Sequence, residues 1–262
     1  MEPERIASIC YMMKNAAMVA GDTLMEGIEH REASALMLDE LMAGWENGGY
    51  GDVLVWSDVL AMPTMAHRTA DGFALDDTMA AAGYGGPCFA VSSMGADLLG
   101  RGLFDVGISL AFLEDMKLRA AVVYDPVHVE LFHAIYGMGA YVNGKRIEPS
   151  KTSGIEEAVV SLDHAALRSK EVSALVDAAG QIRVTPVAAL ELCYVACGRV
   201  DAALRRGAAF FDCAAGMLVA MEAGAVVTDG RGGAVRFNEY GQRCDVAALT
   251  PGLAEDFARY YR

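Results

Sequence analysis

The segment Phe211-Asp212-Cys213-Ala214-Ala215-Gly216 holds the carboxylate whose position is most suggestive of chemistry. It opens an apolar stretch that is predicted to form a helix from 212 to 223, with Gly224 just past its end. A carboxylate in the first turn of a helix caps free backbone N–H groups and interacts favourably with the helix dipole. The same position also suits contact with a metal ion or a ligand. The sequence leaves both interpretations of Asp212 open.

The six cysteines do not show the spacing of a metal or redox site. None of them forms a C-x-x-C pair, and Cys193 and Cys197 lie four residues apart in an apolar helical stretch. Such residues are typical of buried thiols in a reducing compartment. No arrangement of His and Cys residues indicates a nucleophile.

Composition excludes several classes of function. Of the 262 residues, 54% are hydrophobic and 21% are charged, which predicts a folded chain with a sizeable core. The chain contains no apolar run of membrane-spanning length, and its acidic first residues do not resemble a signal peptide, so we expect a cytoplasmic protein. The net charge of −14 argues against binding nucleic acid or an anionic membrane. A phosphorylated ligand would need a local cation or a metal ion.

Hydrophobic periodicity predicts helices and strands that alternate along most of the chain. Two helices are expected at 4–28 and 34–45, and a buried strand at 52–56, whereas residues 57–88 show no clear pattern. Further strands are predicted at 106–113, 118–124, 131–136, 159–162, 182–185, 200–204 and 226–228. Further helices are predicted at 170–180, 190–197, 212–223 and 253–261. Asn143-Gly144 predicts a hairpin turn. The mixture indicates a layered α/β fold.

Four segments form an ordered pattern in the second half of the chain. They are Val123-Tyr124-Asp125-Pro126 with Glu130-Leu131-Phe132, Gly139-Ala140-Tyr141 with Asn143-Gly144, the stretch from Leu192 to Asp201, and the Asp212 segment with Glu222, Gly224 and Asp229. The last of these is similar to the W-D-x-A-A-G…E-A-G-G-x-x-x-D signature of the inositol monophosphatase family. Together the segments resemble that family over roughly residues 101–250, and the first helices resemble it more weakly.

This resemblance implies a fold, a reaction and an assembly. The expected fold is one inositol-monophosphatase-like α-β-α-β-α sandwich over residues 1–262, with lobes at about 1–136 and 137–262. The reaction is hydrolysis of a small phosphate monoester with Mg²⁺, which neutralises the charge that repels the attacking water. Magnesium needs hard oxygen ligands, and the family supplies them from a G-E-E segment, a D-P-x-D-G-T segment and the Asp of the signature. A homodimer through the apolar surface of the N-terminal half is also implied.

The sequence departs from the family at these ligands. Asp212 matches the last of them, and Asp58 stands at the G-E-E position, where its shorter side chain predicts a weak ligand. The D-P-x-D-G-T position falls on residues 91–96, where both aspartates are missing and only the glycine remains. Asp71 and Asp97 are two possible replacements. We therefore expect Mg²⁺ to bind weakly or not at all.

The expected substrate side differs as well. Arg205, followed by Arg206, stands where the family commonly has a glutamate that binds sugar hydroxyls. An arginine there favours an anionic ligand over a polyol, although a pair of surface arginines is an alternative interpretation. Arg205, Arg206 and Ala214 are the candidate substrate-binding residues. His30 and Arg31, in the segment that follows the first helix, are interpreted as solvated residues at a helix end.

Two functions remain open from the sequence. The first is hydrolysis of a small phosphate monoester such as a sugar, inositol or nucleotide phosphate, with Asp212 and Asp58 as the catalytic and metal-binding residues. The second is a catalytically impaired family member that binds a small phosphorylated or anionic metabolite, or a partner, in a regulatory role.

Overall fold

Eight helices and fourteen strands alternate along the described part of the chain. The computed structural model describes residues 3–58, 60, 64–69, 72–76, 86–235 and 243–261. The helices are α1 Pro3–Met25, α2 His30–Asn47, α3 Ala96–Leu99, α4 His164–Leu167, α5 Ser173–Ala178, α6 Ala188–Ala196, α7 Phe210–Ala223 and α8 Ala254–Tyr260. The strands are β1 Val53–Ser57, β2 Thr64–Thr69, β3 Gly72–Asp76, β4 Cys88–Met94, β5 Gly107–Glu114, β6 Lys117–Asp125, β7 Glu130–Ile135, β8 Ala140–Val142, β9 Lys145–Arg146, β10 Val159–Leu162, β11 Gln181–Val184, β12 Ala202–Ala209, β13 Val226–Thr228 and β14 Arg243–Leu249.

The strands form two sheets. The first has the order β3-β2-β1-β4-β5-β6-β7-β8-β9 and is antiparallel except where β1 pairs with β4 in parallel. The second has the order β11-β10-β12-β14-β13, and β10 pairs in parallel with both β11 and β12. The one parallel pair of the first sheet brings the carboxyl ends of β1 and β4 side by side.

Three hydrophobic clusters separate the layers. The first lies between the first sheet and the pair α1–α2, around Trp45 and Phe89. The second lies between the two sheets and contains α6 and α7. The third covers the outer face of the second sheet with α5 and α8. The resulting order of layers is α-β-α-β-α, which confirms the predicted fold class. The single-domain organisation stays a prediction.

Most predicted elements match the structure to within a few residues. Strands 159–162 and 226–228 have the predicted bounds, and α7 begins two residues earlier than predicted. The predicted helix at 170–180 is wrong in detail, because it divides into a 3-10 turn at Lys170–Val172 and the short helix α5. Within the poorly readable region 57–88, the described residues form β2, β3 and the start of β4. None of the described helices is long and apolar enough to cross a bilayer.

Two turns contain residues in the left-handed conformation, at positions where the sequence has Asn or Gly. Asn143 and Gly144 have φ angles of 47° and 76°, the left-handed conformations that a tight hairpin turn between β8 and β9 requires. Gly224 has φ of 99° at the end of α7, where it closes the helix by donating its N–H to Ala220 O and Met221 O.

Candidate carboxylate site

The candidate site forms where three elements end or begin. Asp58 follows β1, Ser92 lies near the carboxyl end of the adjacent parallel strand β4, and Asp212 lies in the first turn of α7. Side chains alternate between the faces of a strand, so Ser92 points towards α7 while Ser93 points towards α2. Ser92, in the segment 91–96 that stands at the D-P-x-D-G-T position of the family, therefore lies between Asp58 and Asp212.

A network of hydrogen bonds joins the two carboxylates. Ser92 Oγ donates to Asp212 Oδ1 at 2.8 Å and also lies 3.3 Å from Asp58 Oδ2. Asp58 further accepts hydrogen bonds from Ser93 N at 3.0 Å and Ser57 Oγ at 3.1 Å. A hydroxyl has one proton, so Ser92 serves only one carboxylate at a time. The two acids are therefore held together by donors of the chain itself.

His30 joins this network from the start of α2. Its Nε2 lies 3.5 Å from Asp58 Oδ2, and its side chain is 30% exposed. The hydrogen bond to Asp58 raises the pKa of His30, burial lowers it, and the charges of Asp58 and Asp97 raise it further. His30 is thus a partly exposed residue at the start of a helix, as interpreted, but it also contacts Asp58.

The environment of Asp212 favours the protonated form of its carboxyl group. Burial raises the pKa of its carboxyl above the ordinary value, while the hydrogen bond from Ser92 lowers it, the charge of Asp58 raises it, and the charge of Arg243 lowers it. Arg243 begins β14 and donates from Nη1 to Gly207 O at 3.0 Å. It is the cation of the described chain whose charge acts on Asp212.

The described residues do not fit a magnesium centre. Mg²⁺ needs near-octahedral coordination by oxygen lone pairs. Here, Ser57, Ser92 and Ser93 donate hydrogen bonds to both oxygens of Asp58 and to Oδ1 of Asp212. Within the described residues, no group of three or more His, Cys, Asp or Glu side chains is placed to hold a metal ion.

The two other candidate aspartates do not join Asp58 and Asp212 in the part of the chain that the structure describes. Asp97 is exposed on α3 and lines a neighbouring cleft of about 680 Å³, together with His30, Arg31 and Phe104. Asp71 lies outside the described residues.

Arg205 is buried instead of lying at the surface. Its side chain is 1% exposed, and it donates to Thr185 O at 3.1 Å and to Ser161 Oγ at 2.5 Å. Its guanidinium lies 3.9 Å from Glu191 on α6, which is also 1% exposed. The alternative of a surface arginine is therefore wrong for Arg205. Its role as a contact for an anionic ligand stays a prediction, which this burial disfavours.

The other two candidate substrate-binding residues also have structural roles. Arg206 forms ion pairs with Glu171 and Asp245, and its backbone N–H donates to Asp163 at 2.8 Å. Ala214 is fully buried in the core between the sheets. Contact of Arg206 or Ala214 with a substrate stays a prediction.

Sequence reasoning missed His30 and Arg243 at the site. His30 lies 28 positions before its partner Asp58, and neither residue belongs to a readable motif. Arg243 follows the glycine-rich turn and a segment without a clear pattern. The sequence showed only that Arg243 is a basic residue, and basic residues at the start of a strand are too common to identify a site.

Comparison with known proteins agrees with the layer order of the fold. The family model described as "Inositol monophosphatase family" matches residues 101–261. This range includes the segments on which the sequence resemblance rested.

Two curated relatives match part of the chain. The Nus factor SuhB of Vibrio cholerae is 36% identical over 158 residues, which are 58% of this chain and 58% of that protein. The fructose-1,6-bisphosphatase/inositol-1-monophosphatase of Thermotoga maritima is 36% identical over 129 residues, 49% of this chain and 50% of that protein. The chain thus spans about half to three fifths of the length of these relatives.

A solved structure matches nearly the whole chain. The extragenic suppressor protein suhB of Bartonella henselae superposes with a TM-score of 0.78 at 25% sequence identity, covering 96% of this chain and 98% of that one. The likeness therefore extends beyond the residues that the family model matches and includes the N-terminal layers.

Proposed function

The chain belongs to the inositol monophosphatase family, and from this premise we propose that it binds a small phosphorylated or anionic metabolite and hydrolyses it slowly or not at all. The family generally uses Mg²⁺, and small phosphate monoesters are the expected class of ligand. The proposed ligand belongs to the class expected for the family, whereas the proposed rate of hydrolysis is much lower than that of an Mg²⁺-dependent phosphatase.

The hydroxyl of Ser92 between Asp58 and Asp212 carries the proposal. A serine in this place contributes a hydrogen-bond donor and no charge, whereas a metal-binding aspartate would contribute a charged ligand. Two carboxylates without a divalent cation repel a phosphate dianion. Efficient attack of water on a phosphate monoester at this place therefore lacks the charge compensation that the reaction needs.

Two cations supply the remaining attraction for an anion. The charge of Arg243, at the start of β14, lowers the pKa of Asp212, and the contact with Asp58 raises the pKa of His30. Arginine binds phosphate and carboxylate groups through a planar, permanently charged fork. A ligand with an anionic group would thus lie at the outer side of Asp212, towards Arg243.

Hydrolysis of a phosphate monoester is the second candidate function. It is favoured by the retention of Asp212 at the start of α7 within the family signature. The name of the Thermotoga relative makes fructose 1,6-bisphosphate and inositol 1-phosphate the first substrates to test.

Calorimetry and an activity assay separate the two functions. The metal-free protein is titrated with Mg²⁺, and then with inositol 1-phosphate, fructose 1,6-bisphosphate and 2′-AMP. We expect no sub-millimolar Mg²⁺ binding, measurable binding of at least one phosphate, and phosphate release far below about 1 s⁻¹, the low end of ordinary enzymes.

Arg243→Gln should weaken phosphate binding, and Arg101→Gln, at an exposed arginine elsewhere, should not. Sub-millimolar Mg²⁺ affinity together with turnover above about 1 s⁻¹ would establish the hydrolase instead. The cytoplasmic location, the homodimer and the absence of nucleic-acid binding stay predictions.

A further inference from the structure

A groove of about 730 Å³ lies along α7, on the side of the β5–β6 hairpin and β13. Its described lining includes Phe210, Met217 and Met221 of α7, and Met116 and Arg119 of the hairpin and β6. We call it the methionine groove. Asp58, Ser92 and Asp212 do not line it, so it is distinct from the carboxylate site.

The floor of the methionine groove is apolar and its rim is exposed. Phe210 and Met217 are each 7% exposed on the floor, while Met116, Tyr136 and Met221 stand 42–64% exposed around the opening. Methionine side chains adapt their shape to different apolar partners. The volume lies in the usual range for small-molecule sites, about 300–1,000 Å³.

The groove is basic in an acidic protein. The chain has 35 acidic and 21 basic residues, yet the described residues that line the groove include Lys117 and Arg119 and no Asp or Glu. Lys117 and Arg119 would attract an anion to the groove itself, although Glu114 and Asp115 stand beside Lys117 in the hairpin turn.

A β-bulge places Arg119 at the groove. Phe112 pairs with Ala120 and Leu113 pairs with Leu118, so Arg119 is the extra residue between these pairs. Bulges redirect side chains and often occur next to functional sites. Arg119 Nε is buried and has no hydrogen-bond partner among the described residues. A buried donor without an acceptor is unfavourable, and a small shift of the Arg119 side chain towards an anion in the groove would supply the missing hydrogen bond.

We propose that the methionine groove binds a small anionic amphiphile, a monocarboxylate with an alkyl tail. The tail lies on Met217, Met221 and Phe210, and the carboxylate accepts hydrogen bonds from Arg119 with Lys117 nearby. A small molecule fits better than an acidic helix of another protein. The groove has a volume of about 730 Å³ and two lining cations, Lys117 and Arg119, whereas an acidic helix would present carboxylates along its length.

The test uses the whole chain and octanoate as the probe in calorimetric titrations. 1-Octanol provides the same tail without charge, and butyrate provides the same head with a short tail. We expect octanoate to bind and both analogues to bind at least about tenfold more weakly. 1-Octanol lacks the charge that Arg119 would bind, and butyrate lacks most of the methylene groups that would cover the apolar floor.

Three variants assign the binding to the groove. Arg119→Gln should weaken octanoate at least about tenfold while leaving 1-octanol unchanged, and Met217→Trp should fill the groove and weaken both. Arg101→Gln, an exposed arginine outside the groove, should bind octanoate as the wild type does. Thermal unfolding confirms that each variant is folded.

Three results would overturn the proposal. They are no octanoate binding at 10 mM (roughly the upper end of useful affinities), equal binding of octanoate and 1-octanol, or unchanged octanoate binding by Arg119→Gln. Binding of an acidic helical peptide at the groove without octanoate binding would assign the surface to a protein partner instead.

Discussion

Asp212 is partly buried beside a second carboxylate, and burial together with the charge of Asp58 raises its pKa, although the hydrogen bond from Ser92 and the charge of Arg243 lower it. Because the pKa of Asp212 is raised in the folded protein, the folded state holds that proton more tightly than the unfolded chain does. The stabilisation by this proton is complete below the ordinary pKa of about 3.9. It is lost as the pH rises through the higher folded value.

Asp212→Asn should therefore change the pH dependence of stability. Relative to this variant, which does not titrate, the wild type should be most stable at low pH and lose that advantage above about pH 4. Unfolding temperatures of both proteins, measured with a chelator from pH 3.5 to 7.5, give the difference. A difference that does not vary with pH would contradict the raised pKa.

Replacing Ser92 should convert the hydrogen-bonded pair of acids into a metal site. Ser92→Asp places a third carboxylate against Asp58 and Asp212, and repulsion of about 2 kcal/mol would lower the unfolding temperature by about 4–8 °C. Millimolar Mg²⁺ should restore it, since three carboxylates neutralise the ion.

Ser92→Asn is the matched control for size without charge. Its unfolding temperature should not respond to Mg²⁺. If the wild type itself gains several degrees in sub-millimolar Mg²⁺, the proposal of a weak or absent metal site is wrong.

At the scale of elements, a buried charge pair between Arg205 and Glu191 joins β12 and α6. Arg205→Met should destabilise the fold by about 3–5 kcal/mol, because it leaves Glu191 buried with only the half-exposed Arg183 as a partner. Urea unfolding measures the loss.

The double variant Arg205→Met with Glu191→Met should cost less than the sum of the single variants, since no uncompensated charge remains. Arg183→Gln, at a side chain that is 45% exposed, should cost only about 0–1 kcal/mol. The account would be contradicted if the double variant lost more free energy of unfolding than the two single variants lose together.

Local pattern predicted the elements better than it predicted the charged partners. Strand periodicity and glycine stops placed β10, β13 and α7, because each depends on neighbouring residues. Arg205 was misjudged because its partner Glu191 lies in another element, and arginine is seldom fully buried. Region 57–88 lacks a dominant period, so β2 and β3 could not be predicted.

Two glycines of the family motifs are held by close backbone contacts. A Cβ at Gly95 would lie 1.8 Å from Asp105 O, and the residue has φ of 77°. A Cβ at Gly216 would lie 2.7 Å from Ala189 O, where α6 and α7 pack closely. Both glycines are therefore required by the backbone, whatever the side chains of the motifs do. The sequence therefore predicted the fold from these glycines, but it did not predict the chemistry of the site.

At the scale of the whole molecule, the core between the sheets draws on both halves of the chain. It includes Trp56 and Val123 of the first sheet, Leu192 and Val219 of the helices, and Val246 of the second sheet. The proposed homodimer must therefore use residues that this shared core leaves exposed.

Leu103 and Phe104 are adjacent, follow α3 in the N-terminal half, and are 50% and 59% exposed. An ion pair of 3.5 Å between Asp105 and Arg183 connects their loop to β11, where Val184 is also 50% exposed. These exposed apolar residues of the loop after α3 and of β11 form the surface that we propose for the predicted homodimer. A stable interface buries about 800 Å² on each partner, so the contact must extend beyond these three residues.

Light scattering at micromolar concentration should give about twice the chain mass of 27.8 kDa. The double variant Leu103→Glu with Phe104→Glu should give the monomer mass, because four glutamates would meet across a two-fold interface. Val129→Glu, at a residue that is 66% exposed on another surface, should remain a dimer. A monomeric wild type would refute the homodimer, and a dimeric double variant would move the interface to another apolar surface, such as Tyr11 and Met18 on α1.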